Sequence, residues 1–561
     1  MDGQTVRRSD GRTVRETVDS QSFDDPSIRP SAHPTTRVLP SLLLIASLQD
    51  PLAARADSAR PRHDALAYAI DLTLPASGNR ITASVRTRWQ VAGPEPIRID
   101  LDTTFTVRRS LVNGRAVAPE RAGLPFLLAH GGAAGDTVET VFDYEGAPAD
   151  GLVIRDGPNG RTIFADNWPD RARRWLASQD HPSDQAPVSW RIDAPAGLTV
   201  LATGALQSIE RAQDRTIWRF GLTEPTPVHT MVVGAAPLTI TELGDGGCPA
   251  RCVPVSVYSY AADSAWAVDG PFRRAPEMVD FFGRLFGPFP YPLLRHVQTS
   301  TIFGGMENST AIFYDERSWA ARRLGENTVA HETVHQWFGD AVSQADWHHL
   351  WLSEGFATYG AALWQEHLGG TAGLQAAMRG AATAVRRSSV AGRPIIDPEE
   401  SRLMSLLNDN NYPKGAWVLH SLRGLVGDSA FFRGLRLWVE RASHRGVVSR
   451  DFADLMSEVS GLDLDWYFRQ ALTRPGYPVI EVSTQHRGDS VAVTLRQVQP
   501  GAWGLFRIPS LEVEVDRTRF TVALTGSEVT EVVPKEDAGP AEVRVDPNGW
   551  WLMDVKMTGT R

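Results

Sequence analysis

From Ala65 to about Ala261 the chain alternates apolar and polar positions in short runs, among them YAIDLTLPAS, ITASVRTRWQV, ETVFDYEG, VSWRIDAP, TIWRFGL and VPVSVYSY. Each run is rich in β-branched or aromatic residues and is bounded by Gly, Pro, Asn or Asp, the pattern of half-buried strands. This predicts a large antiparallel β domain over residues 64–261. The period then changes. DSAWAVDGPFRRAPEMVDFFGRLFG has helical spacing, with Phe281, Phe282 and Leu285 on one side and Gly287-Pro288 as a stop. One strand pair, RHVQTSTIF and TAIFYDE, is expected next. From Asn327 to about Gln470 the candidate helices are NTVAHETVHQWFGDAV, SEGFATYGAALWQEHLG, GLQAAMRGAATAVRR, KGAWVLHSLRGLVG, SAFFRGLRLWVERAS and SRDFADLMSEVSG. TRPGYP ends this mainly helical region, placed at residues 262–475. Alternation then returns (VIEVSTQ, SVAVTLRQV, FRIPSLEVEV, FTVALTG), predicting a β-sandwich over residues 476–561. The fold class expected is multidomain α+β.

Composition narrows the classes. The chain has 561 residues, 42% hydrophobic and 22% charged, as in an ordinary soluble protein of several domains. A net charge of -9 and the lack of any Lys/Arg run argue against a nucleic-acid partner. The 17 tryptophans are scattered, as core or pocket residues would be. Residues 1–63 read as a disordered leader. Within it, VLPSLLLIASL has the length of a signal-peptide core and is too short to span a bilayer comfortably, and Ala54-Arg55-Ala56 fits a small-x-small cleavage site. This predicts export, to the periplasm or outside the cell. The competing reading is a disordered tail on a cytoplasmic chain. No other stretch is long and apolar enough to span a membrane, so no transmembrane helix is expected in the mature chain. Cys248 and Cys252 lie in a Gly/Pro-rich turn, where either a small disulfide or two free thiols fits; two thiols cannot close a four-ligand zinc site. Oligomeric state leaves no signal in the sequence.

The chemistry concentrates in HETVHQWFGDAVSQADWHHLWLSEGF, residues 331 to 356. His331 and His335, at i and i+4, stack on one helix face and can converge on one Zn²⁺. Glu332 beside them can reach a water on the metal as general base. A third histidine at 341 would complete one zinc-protease pattern, but that position is Ala341. The remaining donors nearby are His348, His349 and Glu354. Glu354 opens a second helical run and is the natural third ligand; the two histidines suit packing or support of a ligand. Three protein ligands leave a fourth position for water, and zinc lowers that water's pKa towards ~7. Metal-assisted hydrolysis of an amide is the implied reaction.

Four motifs in order, GGMEN (Gly304 to Asn308), HETVHQWFGD, WLSEGFATY and NNYPKGAWVL, resemble the aminopeptidase N family of zinc metallopeptidases. The residues between His335 and Glu354, 336 to 353, reproduce the family's 18-residue spacing. The similarity covers roughly residues 65 to 561 and is closest to short bacterial-type members without a large C-terminal helical domain. It implies a β domain, a thermolysin-like catalytic domain and a small β-sandwich, with one Zn²⁺ per chain and peptides bearing a free N-terminus as substrates. His331, His335 and Glu354 would be the zinc ligands and Glu332 the base. Glu307 would bind the substrate's α-ammonium. Gly304, Gly305, Met306 and Asn308 would line the bound peptide, and Tyr412 would hydrogen-bond the tetrahedral oxyanion. Two departures stand out. The family's second amine-binding residue is often Gln or Glu; in the matching text, FADNWPDRARRW, Trp168 falls near that place with Asn167 beside it, which leaves this contact open. The Asn usual before the ligand glutamate is Ser353. Competing functions are a non-catalytic scaffold of the same fold, and a zinc endopeptidase or epoxide hydrolase. Glu307 argues against an endopeptidase, since it would face an uncharged backbone. Phe303 is a candidate for narrowing the first side-chain pocket.

Overall fold

The computed structural model describes residues 50–54, 61–249, 251–535 and 541–558. The apolar run of the expected leader and Arg55-Ala56 of its cleavage site lie outside them. The nearer part of the leader is packed: Leu52 is fully buried, its carbonyl accepts from Arg450 N at 2.9 Å, and Asp50 pairs with Arg450 and Arg469 at 2.6 and 3.0 Å. Burying such a leucine is worth about 2 kcal/mol, enough to hold a short segment whose ends are also paired.

The N-terminal half is β-rich because its alternation is long and regular. In Ile81–Gln90, Ile81, Ala83, Val85, Thr87 and Trp89 point inward and their neighbours outward. This strand lies within an eight-stranded sheet that runs from Ala205–Arg211 to Arg115–Ala116. The antiparallel expectation fails at one place. Asp64–Thr73 pairs in parallel with Gln185–Pro195, with Tyr68 opposite Val188. Alternation sets which face is buried but not strand direction, so the pattern could not reveal this. A four-stranded sheet, Thr199–Ala202, Val233–Ala236, Gly160–Ala165 and Leu152–Gly157, lies alongside.

A five-stranded sheet crosses residue 261. Its order is Thr239–Gly246, Val253–Ser259, Leu294–Thr299, Ala311–Asp315 and Gly305–Met306. Leu294–Thr299 and Ala311–Asp315 form the expected pair, in parallel, and Gly305–Met306 is the free edge. The helix Ala275–Phe286 ends at Gly287, whose φ of 108 a side chain would resist.

Helices follow as far as Thr473. The two runs expected after Ser353 are two helices within Trp351–Arg387, separated at Gly370, whose φ of 61 and ψ of -158 are not helical. Two packed sheets of four and three strands form the C-terminal sandwich around Ile480, Val482, Leu495, Leu511 and Val513. Among the described residues, no helix is long and apolar enough to cross a membrane.

Candidate metal centre and active site

His331, Glu332 and His335 occupy the last turns of the helix Glu326–His335, and Glu354 the first turn of Trp351–Arg387. The three expected ligands meet. Glu354 Oε2 lies 3.3 Å from Nε2 of both histidines, and the two Nε2 atoms are 3.1 Å apart. Ligands at ~2.05 Å on a tetrahedral ion stand about 3.3 Å from one another, so this triangle has the size of one face of such a site. Glu354 Oε2 is buried with no hydrogen-bond donor, which is the state of an atom awaiting a cation. The donor set therefore fits a transition metal with one open position. His335 Nδ1 is 3.0 Å from the Phe338 carbonyl, which can only accept, so the proton sits on Nδ1 and the Nε2 lone pair faces the site. Ser353 Oγ, 3.1 Å from the same nitrogen, stands where the family has Asn.

Without an ion the cluster is short of positive charge. Burial would lower His335, but the Glu354 and Glu307 carboxylates push it upward. Burial would raise Glu354, yet His335 and His331 hold it down. Burial drives Glu332 well above the ordinary carboxylate range; His335 opposes the rise, and Glu307 and Glu354 add to it. Glu307, buried with the others, is also raised by burial.

The GGMEN motif contributes Gly305–Met306, the free edge of the five-stranded sheet. Gly305 is opposite Tyr314 and Met306 opposite Phe313, leaving the outer side of Gly305–Met306 to face the site. A Cβ on Gly305 would overlap the Glu332 carboxylate, so this glycine is required by contact. Gln336 joins motif to helix by donating to the Glu307 carbonyl at 3.0 Å while accepting from Thr310 N at 2.9 Å. Asn308 is buried and its Nδ2 is 3.5 Å from the Met306 carbonyl. Asp166 holds the preceding loop through Thr301 Oγ1 at 3.1 Å and Ile302 N at 3.4 Å.

Tyr412 comes from a π-helical turn, Asn410–Lys414, that leads into the helix Gly415–Val426. Gly355 and Gly415 face each other across the two helices, and a Cβ on Gly415 would stand 2.9 Å from Gly355 Cα. This close approach brings Tyr412 beside the metal ligands. Burial, with Glu354 next to it, drives the phenol well above its ordinary pKa, so it stays a donor.

One cavity of about 190 Å³ contains Gly304, Gly305, Met306, Glu307, His331, Glu332, His335, Glu354 and Tyr412, and is closed on one side by Trp168, Phe303 and Leu407. Asn308 is the expected site residue outside its lining. Leu407, Gln336 and Asp166 had escaped the sequence reading; only Gln336, directly after the second histidine, carried a signal by position. The two histidines of DWHHLW serve elsewhere. His348 contacts Asp346 Oδ1 at 2.7 Å and the Glu400 carbonyl at 3.0 Å; His349 contacts Ser449 Oγ at 2.8 Å and the Ala54 carbonyl at 2.7 Å. Asn167 is fully buried and bonded to its own domain. Its Nδ2 donates to the Met231 carbonyl and its Oδ1 accepts from Trp175 Nε1, both at 2.8 Å. Cys248 and Cys252 form a disulfide, so the nearby Asp245 has no thiolate partners for a metal.

Residues 272–470 match the Peptidase family M1 domain. The chain is 28% identical over 351 residues to an aminopeptidase N of Lactococcus lactis subsp. lactis, covering 58% of this chain and 40% of that one. It is 25% identical over 403 residues to a leucyl aminopeptidase of Saccharolobus solfataricus, covering 68% and 49%. The chain thus spans about half, or less, of the length of these curated relatives. An M1 zinc metallopeptidase from Deinococcus radiodurans superposes with a TM-score of 0.65 at 26% identity, covering 74% of this chain and 94% of the other. With its motifs gathered in one cavity on a fold shared with an M1 zinc metallopeptidase, residues 272–470 form a Peptidase family M1 domain.

Proposed function

We propose that this chain is a zinc aminopeptidase that removes N-terminal residues from peptides. His331, His335 and Glu354 hold the metal. Bound zinc supplies Lewis-acid activation of water and of the scissile carbonyl. Every other task falls to side chains of this cavity. Glu332, beside the ligand triad, takes the proton of the attacking water and delivers it to the departing amine. Tyr412 donates to the oxygen that gains charge. Glu307 pairs with the substrate's α-ammonium, and the outer side of Gly305–Met306 aligns the peptide as an added strand.

The single observation that carries this reading is the position of Glu307. A buried carboxylate beside the ligand triad strongly favours a positive chain end over a neutral backbone, which speaks against endopeptidase action. The Trp168, Phe303 and Leu407 wall suits an apolar or aromatic first side chain. A Deinococcus radiodurans relative has been crystallised with Tyr-Ser-Ala as substrate, which agrees with peptide as the substrate class. Export is also part of the proposal, supported by the Cys248–Cys252 disulfide, since such bonds persist in oxidising compartments.

The test is a panel of aminoacyl amides, each free and N-acetylated, assayed before and after chelation. Free-amine substrates should be cleaved, acetylated ones spared, and chelation should abolish turnover until zinc is restored. Equal cleavage of acetylated substrates, or activity indifferent to chelation, would overturn the reading.

A further inference from the structure

A second cavity, of about 70 Å³, lies between the helices and the C-terminal sandwich and shares no lining residue with the metal cavity. That is several times the ~10–15 Å³ one water needs. Its walls are mostly apolar, with five aromatic side chains among them: Trp417, Tyr467, Tyr477, Phe506 and Trp551. Lys414 is the one charged residue lining it. The lysine is 4% exposed and its Nζ has no hydrogen-bond partner. Trp417, three residues further along the helical turn, has a buried Nε1 that also lacks an acceptor. Neither donor has a use in the metal centre.

A buried ammonium without a counter-charge is costly, and natural interiors rarely keep one. The chain uses arginine for nearly all its cations: Lys414, Lys535 and Lys556 are its lysines. Arginine cannot shed its proton, whereas a lysine can sit neutral in an apolar site until an anion arrives. Burial lowers the Lys414 pKa to about 7, with no charged neighbour contributing. The apolar walls reject a strongly hydrated dianion, and one cation balances one negative charge.

We propose that this cavity binds a short-chain apolar monocarboxylate, its carboxylate paired with Lys414 Nζ and its hydrocarbon end against the apolar walls. Trp417 Nε1 offers the second donor. The site is independent of the zinc reading.

Isobutyrate is the probe and isobutyramide its neutral isostere. The intact metal-loaded protein is reductively methylated with formaldehyde and dimethylamine-borane, and the modification of each lysine is followed by peptide mass. Isobutyrate should slow methylation of Lys414 at least fivefold and leave exposed Lys556 unchanged; isobutyramide should do neither. Carboxylate bound to the metal would not produce this pattern, because the footprint is read at Lys414. Calorimetric titration should show at least a tenfold preference for isobutyrate over the amide, lost in Lys414→Met. If that variant does not fold, the wild-type comparison still decides. Equal protection by the amide, or none by the acid, overturns the proposal. So does a Lys414 that resists methylation without ligand, since a cavity closed to formaldehyde is closed to isobutyrate.

Discussion

The rings of His331 and Tyr412 lie parallel to within 5°, with centroids 6.0 Å apart. A ligand imidazole and the phenol expected to stabilise the reacting oxygen are thus locked as a stack, and the hydroxyl is the free variable. Tyr412→Phe keeps the stack and removes only the donor. Turnover should fall by about 10²–10³ with KM little changed and metal content intact. Steady-state kinetics with metal analysis check this; loss of metal would mean that the ring, not the hydroxyl, matters.

Glu332→Gln should bind zinc as the parent does, since Glu332 lies outside the ligand triangle. Its turnover on an aminoacyl-anilide should fall by about 10²–10⁴. Near-normal hydrolysis would remove the general-base role.

Glu307→Ala should raise KM for free-amine substrates by about tenfold or more, because a charge-assisted contact worth roughly 1.5–3 kcal/mol disappears. The same variant should narrow the gap between free and acetylated peptides. An unchanged ratio of kcat/KM for the two would show that amine recognition lies elsewhere.

Gly305→Ala places a methyl group against the Glu332 carboxylate. Activity should fall at least tenfold while the melting temperature moves little, because Gly305–Met306 is a short edge strand. A crystal structure of the variant should show Glu332 displaced.

Lys414→Met should stabilise the protein, and the gain should depend on pH. Below about pH 7 the amine is protonated both folded and unfolded, so the full burial cost is present. Between about 7 and the ordinary 10.5 the unfolded chain binds the extra proton, and the stability of the parent rises with pH. The variant's advantage is therefore largest below pH 7, on the order of 5 kcal/mol at most, and shrinks towards pH 10.5. Thermal melts across that range decide it; a constant gap would mean that Lys414 is not buried neutral.

The convergence of His331, His335 and Glu354 was legible because it is local. An i, i+4 histidine pair on one helix and a glutamate opening the next need only helical geometry to converge, and His331, His335 and Glu354 do so. Alternation likewise marked Ile81–Gln90 and its neighbours. Direction and partnership of strands were not legible, because they depend on residues more than a hundred positions apart, as in the parallel pairing of Tyr68 with Val188. The sheet that crosses residue 261 was hidden too, because Val253–Ser259 pairs with Leu294–Thr299 across an intervening helical segment. Leu407 lies in a loop without periodicity, so only the folded chain reveals it as a pocket wall.

The docking of Asp50, Leu52 and Ala54 bears on how the protein should be produced. A recombinant chain started at residue 64, where the alternating strands begin, would strip Asp50 from Arg450 and Arg469, uncover the apolar hollow under Leu52 and leave His349 Nε2 without the Ala54 carbonyl. His349 is a short step along the chain from Glu354, so trimming what looks like dispensable tail would loosen the ground on which the metal ligand stands. Truncations meant to aid crystallisation should begin before Asp50.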